Sequence, residues 1–303
     1  MTMRKAAVCL MGLGLALSSS AFAQNAPSAG PPPPGQGAQG MARVDPWPGM
    51  KRLLILADVQ TGYHHDSINH AMAVIEQLGR ESGRWVSFIR TDSQVVTSQP
   101  ITGTGERYGG RSINARNLDF YDAIFFLGSG SGTLSDEQKA DLLSFVRDDG
   151  KGFIAGHAAG VAFFDWPEFT ELIGAPMESE YQTGVMTLRR VDSDFPGASA
   201  FPEVFTYNDQ FPVTPDTFHS TDVNVIFALD PDTMTEEQRA RRPDGDFPII
   251  WSDTYGAGRT FNLGVGHREE VWDDPKFRTM VTGAIEWALG LVDDQGQPAT
   301  DGD

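Results

Sequence analysis

The sequence predicts an α/β fold built on an open, mostly parallel sheet with helices on both faces. Short apolar runs bounded by polar residues, typical of buried parallel strands, alternate through the first half of the chain with segments of helical periodicity. The second half is richer in strand-like segments than in helices, which predicts additional strands beyond the alternating part.

The first predicted elements run from residue 51 to residue 155. Residues 51–57 form an apolar strand, and Asp66 or Ser67 is placed to cap the helix that follows. The apolar face of that helix comprises Ile68, Ala71, Met72, Ile75 and Leu78. Further strands are expected at 85–89, 122–127 and 152–155.

Two further helices complete the alternating part. One begins at the capping box Ser135-Asp136-Glu137-Gln138 and ends near Gly150, and the other lies around 166–173. The long polar connection at 93–117 is expected to be either a disordered loop or a lid over a site.

The second half contains five predicted strands and a closing helix. The strands lie at 185–190, 204–207, 223–229, 248–252 and 259–263, and residues 255–258 form a turn between the last two. The amphipathic helix that follows buries Phe277, Met280, Val281, Ala284, Ile285 and Ala288.

Both ends of the chain are expected to lie outside the folded domain at 50–290. Residues 1–23 resemble a signal peptide, with Arg4 and Lys5 before an apolar run and Ala-Phe-Ala at 21–23. They predict export to the periplasm or beyond, with no stable membrane insertion after cleavage. A Pro- and Gly-rich linker is expected at 24–49, and a disordered acidic tail at 291–303.

The charge and the cysteine content exclude several classes of partner and chemistry. The chain carries 23 basic and 41 acidic side chains, a formal net charge of -18. Nucleic acid and anionic lipid both require clustered Lys and Arg, so neither is an expected partner. The single cysteine, Cys9, is removed with the predicted signal peptide, which excludes disulfides, cysteine-zinc clusters and a thiol nucleophile.

Three of the chain segments that follow predicted strands carry histidines. His64 and His65 follow the first strand, His157 follows the strand at 152–155, and His267 follows the apolar strand ending near 265. Ligands of open α/β sheets bind beyond the carboxyl ends of the strands, so these imidazoles are predicted to share a site. His70, inside a helix, and His219, in a loop, are interpreted as structural.

The residue types leave the chemistry of this site open. Neutral imidazoles can act as a general base, as hydrogen-bond donors or as metal ligands. A helix N-terminus would lower the pKa of His65 and of His157. With Asp209 as a carboxylate, His65, His157 and His267 match a catalytic zinc shell in type, so a divalent metal such as zinc is a possible cofactor.

Other candidate binding residues have simpler structural explanations. Trp166 could stack on a sugar ring at the mouth of the site, or merely begin a helix with its neighbours. Tyr207 precedes Asp209 in a segment that could be a simple turn. The Gly-rich turn at 129–132 lacks the lysine of a phosphate-binding loop, and close backbone approach to a ligand is expected there instead.

Several of these segments together resemble the ThuA-like (trehalose utilization) family. The resemblance spans residues 51–290 and implies a flavodoxin-like, class I glutamine amidotransferase-like three-layer sandwich. Its motifs are Gly62-Tyr63-His64-His65-Asp66-Ser67, Ile154-Ala155-Gly156-His157, the segment 165–174, the segment 248–259 and Gly264-Val265-Gly266-His267.

The resemblance also separates this chain from the amidotransferases. Their catalytic cysteine occupies the turn after the strand that corresponds to 152–155, where this chain has His157. Family members often have Asp-Glu where this chain has Asp209-Gln210, so a second carboxylate is missing. The family's association with disaccharide and oxidised-sugar catabolism implies a small carbohydrate as the partner.

Three hypotheses follow. The first is an exported sugar-processing enzyme of the hydrolase or lyase type, in which His65, His157, Asp209 and His267 are catalytic, or the three histidines hold a metal. The second is a non-catalytic carbohydrate-binding protein of the cell envelope, in which Trp166 and Tyr207 dominate the affinity and the histidines hydrogen-bond sugar hydroxyls. Under either hypothesis His64, Trp166 and Tyr207 are the expected substrate-binding residues. In the third the histidines pack in the core. The sequence leaves the oligomeric state open.

Overall fold

The computed structural model describes residues 45–102, 112–114 and 116–299. The predicted signal peptide and residues 24–44 of the predicted linker lie outside the described residues. So do positions 103–111 and 115 of the predicted polar connection, and 300–303 of the predicted tail.

The described residues form the alternating elements that the sequence predicts, with small shifts at their ends. The strands are β1 (Lys51–Leu56), β2 (Trp85–Arg90), β3 (Ile101–Thr102), β4 (Ser112–Asn114), β5 (Ala123–Phe126), β6 (Gly152–Ala155), β7 (Ser179–Glu180), β8 (Gly184–Arg190), β9 (Val204–Asp209), β10 (Pro212–Val213), β11 (Asn224–Leu229), β12 (Pro248–Tyr255) and β13 (Gly258–Leu263). The α-helices are α1 (Ser67–Ser82), α2 (Asp136–Arg147), α3 (Pro167–Ile173), α4 (Glu236–Arg239), α5 (Glu269–Asp273) and α6 (Pro275–Ala288).

Nine of these strands form one sheet in the order β2-β1-β5-β6-β13-β12-β11-β8-β9 within the described part of the chain. The pairings from β2 to β13 are parallel, and those from β13 to β9 are antiparallel. The predicted fold, with additional strands from the second half of the chain, is confirmed. Because β1, β5, β6 and β13 run parallel, the segments that follow them emerge at one edge of the sheet.

Helices cover both faces of the parallel half, because alternate residues of each strand point to opposite sides. Leu53 and Ile55 of β1 belong to a core cluster that includes buried residues of α1 and α6. Leu54 and Leu56 belong to a second cluster with residues of α2 and α3. The β strands are therefore buried between two helical layers, as a three-layer sandwich requires.

The two predicted helix caps have different outcomes. At α2 the Ser135 hydroxyl accepts a hydrogen bond from the Gln138 amide (3.3 Å), and the Gln138 side chain accepts one from the Ser135 amide (3.1 Å). The capping box is confirmed. At α1 the predicted cap is wrong: Asp66 has helical backbone angles and no capping hydrogen bond from its side chain. The first turn instead begins at the His65 carbonyl, which accepts from the Ile68 amide.

The segment 291–299 packs on the domain, which differs from the disordered tail that the sequence predicts. Val292 is buried, and its carbonyl accepts a hydrogen bond from Arg259 (2.8 Å). The Trp287 indole donates to the Asp294 carboxylate (2.6 Å). Burial of Val292 and the hydrogen bond between Trp287 and Asp294 order this segment, although its composition is polar.

The flanks of the predicted polar connection are also packed. Val95 and Val96 are fully buried, and the Asn117 side chain donates to the Ser98 carbonyl (2.8 Å). Within the described residues, no helix combines the length and the apolar character needed to cross a membrane.

Candidate functional site

Three imidazoles from distant parts of the chain meet at the edge of the sheet where β1, β6 and β13 end. The ring centroids of His65 and His157 are 5.4 Å apart, those of His65 and His267 are 5.0 Å apart, and those of His157 and His267 are 5.2 Å apart. One ring nitrogen from each residue lies within 4.8 Å of the other two. The predicted convergence of these histidines is therefore what the structure shows; we call the three residues the histidine triangle.

A hydrogen bond to a backbone carbonyl fixes the orientation of the His157 ring. It begins the 3-10 turn His157–Val161 directly after β6, and its Nδ1 lies 3.1 Å from the Gly264 carbonyl oxygen. A carbonyl can only accept, so Nδ1 carries the proton and Nε2 keeps its lone pair. In most metal-binding histidines, the ring nitrogen that does not bind the metal donates its proton to a carbonyl or carboxylate, as Nδ1 of His157 does here.

The loop that carries His65 packs tightly against the loop after β5. The Ser129 hydroxyl donates to the Tyr63 carbonyl (3.0 Å). A Cβ on Gly62 would lie 2.3 Å from the Ser129 Oγ, and one on Gly130 would lie 2.6 Å from the Gly62 Cα. The close backbone approach predicted for residues 129–132 is thus made with a neighbouring loop, and it fixes the path of the chain just before His65.

Asp209 holds the third loop in place. Its fully buried carboxylate accepts hydrogen bonds from the backbone amides of Gly266 (2.5 Å), His267 (3.3 Å) and Arg268 (3.0 Å). Burial raises the pKa of Asp209, and the amides of Gly266 and Arg268 oppose that rise. The sequence placed Asp209 among the reacting groups, but its oxygens face the backbone of the loop. Asp209 is therefore a positioning residue for His267.

Burial makes two members of the triangle unusually weak bases. His65 is 8% exposed and His157 is 5% exposed. Burial, followed by repulsion from His157 and His267, lowers the pKa of His65 from 6.5 to about 4. Burial also lowers the pKa of His157 to about 4, against the opposing hydrogen bond with Gly264. The predicted direction is confirmed, but the principal cause is loss of solvent and not a helix N-terminus.

We expect the metal-free protein to lose stability as the pH falls from about 6.5 to about 4. The folded pKa of His157 lies below the unfolded value, so in this range the unfolded state binds more protons, and the free energy of unfolding rises with pH. The shift for His157 alone corresponds to roughly 3 kcal/mol. Denaturant unfolding at several pH values, with a chelator present, measures this slope.

A matched variant isolates the contribution of the buried imidazole. His157→Gln removes the titrating group while keeping a polar side chain, so its stability should vary less with pH across the same interval. An identical pH profile for this variant and the native chain would contradict the assignment of the slope to His157.

The hydrogen bonding of the triangle fits a bound cation. Among the described residues, Nδ1 of His65 and Nδ1 of His267 are buried without a hydrogen-bond partner. Such orphaned polar atoms are rare in folded proteins, because each costs about 1–3 kcal/mol. Three neutral imidazoles with a further position open are the donor set of catalytic zinc sites such as that of carbonic anhydrase. The predicted ligands His65, His157 and His267 therefore suit a divalent metal.

Two predicted substrate-binding residues lie elsewhere. Trp166 is 6% exposed and packs against the rings of Phe163 and Phe169, with the Lys139 ammonium over its face. Its ring is part of the core, so the predicted sugar stacking on Trp166 is not available. The Tyr207 hydroxyl donates to the Asp274 carboxylate (3.0 Å), which ties β9 to the start of α6. Burial raises the pKa of Tyr207.

His64 lies where substrate contacts were predicted. It is exposed and lines a cleft of about 480 Å³ that opens beside the triangle. The cleft is lined by Tyr63, His64, Asp66, Asn69, His267, Arg268, Glu269 and Glu270. Sequence reasoning missed Tyr63 and the residues 268–270, although each lies within three positions of a histidine that it did select.

The remaining histidines lie outside the triangle, as predicted. His70 Nε2 lies 2.8 Å from the Asp273 carboxylate on the helical surface. His219 lies near Asp244 and Asp246, but these carboxylates accept hydrogen bonds from Arg242 and Ser220. Their contacts serve surface and loop structure.

Known proteins resemble this chain in sequence pattern and in fold. A family model described as "ThuA: Trehalose utilisation" matches residues 52–288. No curated protein matches the chain significantly. The structure of a putative ThuA-like protein from Bacteroides uniformis ATCC 8492 is similar with a TM-score of 0.59 at 17% identity, over 86% of this chain and 98% of that chain.

Two further structures illustrate the range of this similarity. A putative ThuA-like protein from Parabacteroides merdae ATCC 43184 has a TM-score of 0.59 at 16% identity, over 83% of this chain and 92% of that chain. PurLQS from Thermotoga maritima has a TM-score of 0.44 at 12% identity, over 78% of this chain and 99% of that chain. At such identities the two ThuA-like structures support the fold alone.

Proposed function

The chain belongs to the ThuA family, described by trehalose utilisation, and from this premise we propose that it is an exported enzyme that acts on a sugar. The observation that carries the proposal is the histidine triangle with its two orphaned buried nitrogens, which opens onto a polar cleft. A structural cluster of buried imidazoles would be expected to satisfy these nitrogens within the protein.

We assign His65, His157 and His267 as the residues that would hold a divalent cation such as zinc. A cation bound by three imidazoles supplies Lewis acidity toward a carbonyl or hydroxyl oxygen of the substrate, or activates a bound water. Desolvation supports this assignment because it keeps His65 and His157 unprotonated at neutral pH, as metal binding requires.

The protein residues around the triangle supply positioning and proton transfer. The Gly264 carbonyl orients His157, and Asp209 orients the backbone of His267. His64 and the carboxylates of Asp66, Glu269 and Glu270 line the cleft, where a sugar hydroxyl could exchange a proton with them. This inventory suits hydrolysis or elimination.

Thiol-dependent ammonia transfer is not part of the proposal. The only cysteine in the sequence is Cys9, within the segment that resembles a signal peptide. The residue after β6 and Gly156 is His157. The basic residues Arg4 and Lys5, the apolar run and the small-residue site at 21–23 support export.

The test combines metal analysis with turnover. Native protein is expected to contain about one zinc or similar cation per chain, as a single three-histidine site requires. Incubation with trehalose and with oxidised disaccharides should change at least one of them, and a chelator should abolish that change until the metal is restored.

The other outcomes of this experiment are equally informative. Protein that binds a sugar in calorimetry but leaves it unaltered after long incubation would support the carbohydrate-binding alternative. Protein that takes up no divalent metal and neither binds nor converts any sugar would overturn the proposal.

A further inference from the structure

The cleft beside the histidine triangle is in direct contact with it. His267 belongs to both, and Tyr63, which lines the cleft, makes an edge-to-face contact with the His65 ring, with the centroids 4.9 Å apart. A molecule held in the cleft against Tyr63 would therefore lie beside the triangle.

The ring of Tyr63 is largely exposed to solvent, although the backbone that carries it is fixed. Its side chain is 68% exposed, whereas large aromatic side chains are usually well buried. Its carbonyl accepts a hydrogen bond from the Ser129 hydroxyl, and Gly62 before it packs on Ser129 without room for a Cβ. The backbone of Tyr63 is therefore already ordered while its ring is exposed to solvent. This lowers the conformational entropy that the segment would lose on binding a ligand.

Two aromatic residues that follow β6 along the chain do not fill this role. Trp166 is packed between aromatic neighbours in the core. Phe164 is as exposed as Tyr63, at 68%, but it is not among the residues that line the cleft.

The side-chain charges of the cleft disfavour an anionic ligand. Three carboxylates, those of Asp66, Glu269 and Glu270, line it against one guanidinium, that of Arg268. Arg268 is already paired with Glu270 through two hydrogen bonds of 2.8 and 3.2 Å. A bound carboxylate would have to compete with Glu270 for that guanidinium, whereas neutral hydroxyls could donate to the carboxylates of Asp66 and Glu269 without breaking that ion pair.

We propose that Tyr63 is the stacking platform for an electrically neutral sugar ring, which the acidic side chains of the cleft hold by its hydroxyl groups. This inference deepens the proposed function and rests on it. Aromatic faces suit the apolar side of a pyranose ring, and the carboxylates around Tyr63 suit its hydroxyl edge.

The first test measures sugar binding by calorimetry, with trehalose and methyl glucoside as probes. Tyr63→Ala should weaken the binding of these sugars about tenfold, the equivalent of a favourable aromatic contact. Tyr63→Phe keeps the ring and should stay within about twofold of the native affinity, because only the hydroxyl is lost. Phe164→Ala, at an equally exposed aromatic outside the cleft, is the matched control and should leave binding unchanged.

The second test compares methyl glucoside with methyl glucuronide, which differ by the carboxylate. In chelator-treated protein, where no bound cation offsets the acidic side chains, the neutral glycoside should bind at least about tenfold more tightly because of like-charge repulsion in the cleft. Tighter binding of the glucuronide would overturn the charge argument. Equal losses in Tyr63→Ala and Tyr63→Phe, or no loss in Tyr63→Ala, would overturn the stacking role.

Failure of this inference can be distinguished from failure of the proposed function. If the native protein binds neutral sugars and Tyr63→Ala binds them equally well, the platform is wrong and the sugar enzyme stands. If the native protein binds none of these sugars, the platform is wrong, and the proposed function falls with it only if the protein also takes up no divalent metal and converts no sugar. Circular dichroism of Tyr63→Ala shows whether the variant is folded.

Discussion

Replacing His157 with alanine is expected to lower the affinity of the protein for zinc more than about 100-fold, since changes to outer-shell partners alone cost 10–100-fold. The substitution removes one of the three nitrogens of the triangle and the ring that Gly264 orients. Sugar turnover should be abolished. Zinc titration against a competing chelator, with turnover measured on the same samples, checks both effects.

A histidine outside the triangle provides the control. His70→Ala removes an imidazole that contacts Asp273 on the surface, so zinc affinity and turnover should remain native. His157→Ala leaves the Gly264 carbonyl without its hydrogen-bond partner, which costs about 1–3 kcal/mol. The fold should persist, because this is less than the roughly 5–15 kcal/mol by which folded domains are ordinarily stable. Full turnover and native zinc affinity in His157→Ala would eliminate the metal role of the triangle.

Replacing Asp209 with alanine is expected to lower the free energy of unfolding by about 2–4 kcal/mol. The variant leaves the amides of Gly266, His267 and Arg268 without the acceptor that they share. The loop that carries His267 should loosen, so zinc affinity should fall about 10–100-fold, the range seen for residues that orient a metal ligand. Denaturant unfolding and zinc titration measure the two effects separately.

Two comparisons make the Asp209 prediction specific. Asp209→Asn keeps one carbonyl acceptor and should lose less stability than Asp209→Ala. Asn208→Ala, at the exposed neighbour on β9, should change stability by less than about 0.5 kcal/mol. If Asp209→Ala bound zinc normally and were as stable as Asn208→Ala, the positioning role would be wrong.

The secondary structure could be predicted closely because its determinants are local. The apolar run at 51–57, the apolar face of α1 and the capping box at Ser135 each depend on residues within a few positions of one another. The packing of residues 291–299 could not be predicted, because it depends on contacts of Val292 with Arg259 and of Asp294 with Trp287. The composition of the segment does not indicate these contacts.

The three histidines of the candidate site could be predicted because the parallel strands before them end at the same edge of the sheet. His65, His157 and His267 follow β1, β6 and β13, which run parallel, so their positions after strand ends indicated a shared edge. Those positions did not separate His65 from its exposed neighbour His64. The role of Asp209 was not predictable from its type, because a carboxylate after a strand can face a reacting group or a backbone loop. Only the placement of Gly266 and Arg268 decides between them.

The sequence by itself determined the layered sheet, the edge at which the imidazoles emerge and the position of the single cysteine at residue 9, because periodicity, strand direction and composition can be read from the order of the residues. The tertiary structure alone decided that Trp166 is buried and Tyr63 exposed, although both lie beside strand ends. Exposure depends on neighbours contributed by other segments. Phe163 and Phe169 pack against Trp166, whereas Ser129 bonds only the backbone of Tyr63, whose ring contacts His65 and otherwise stays largely exposed.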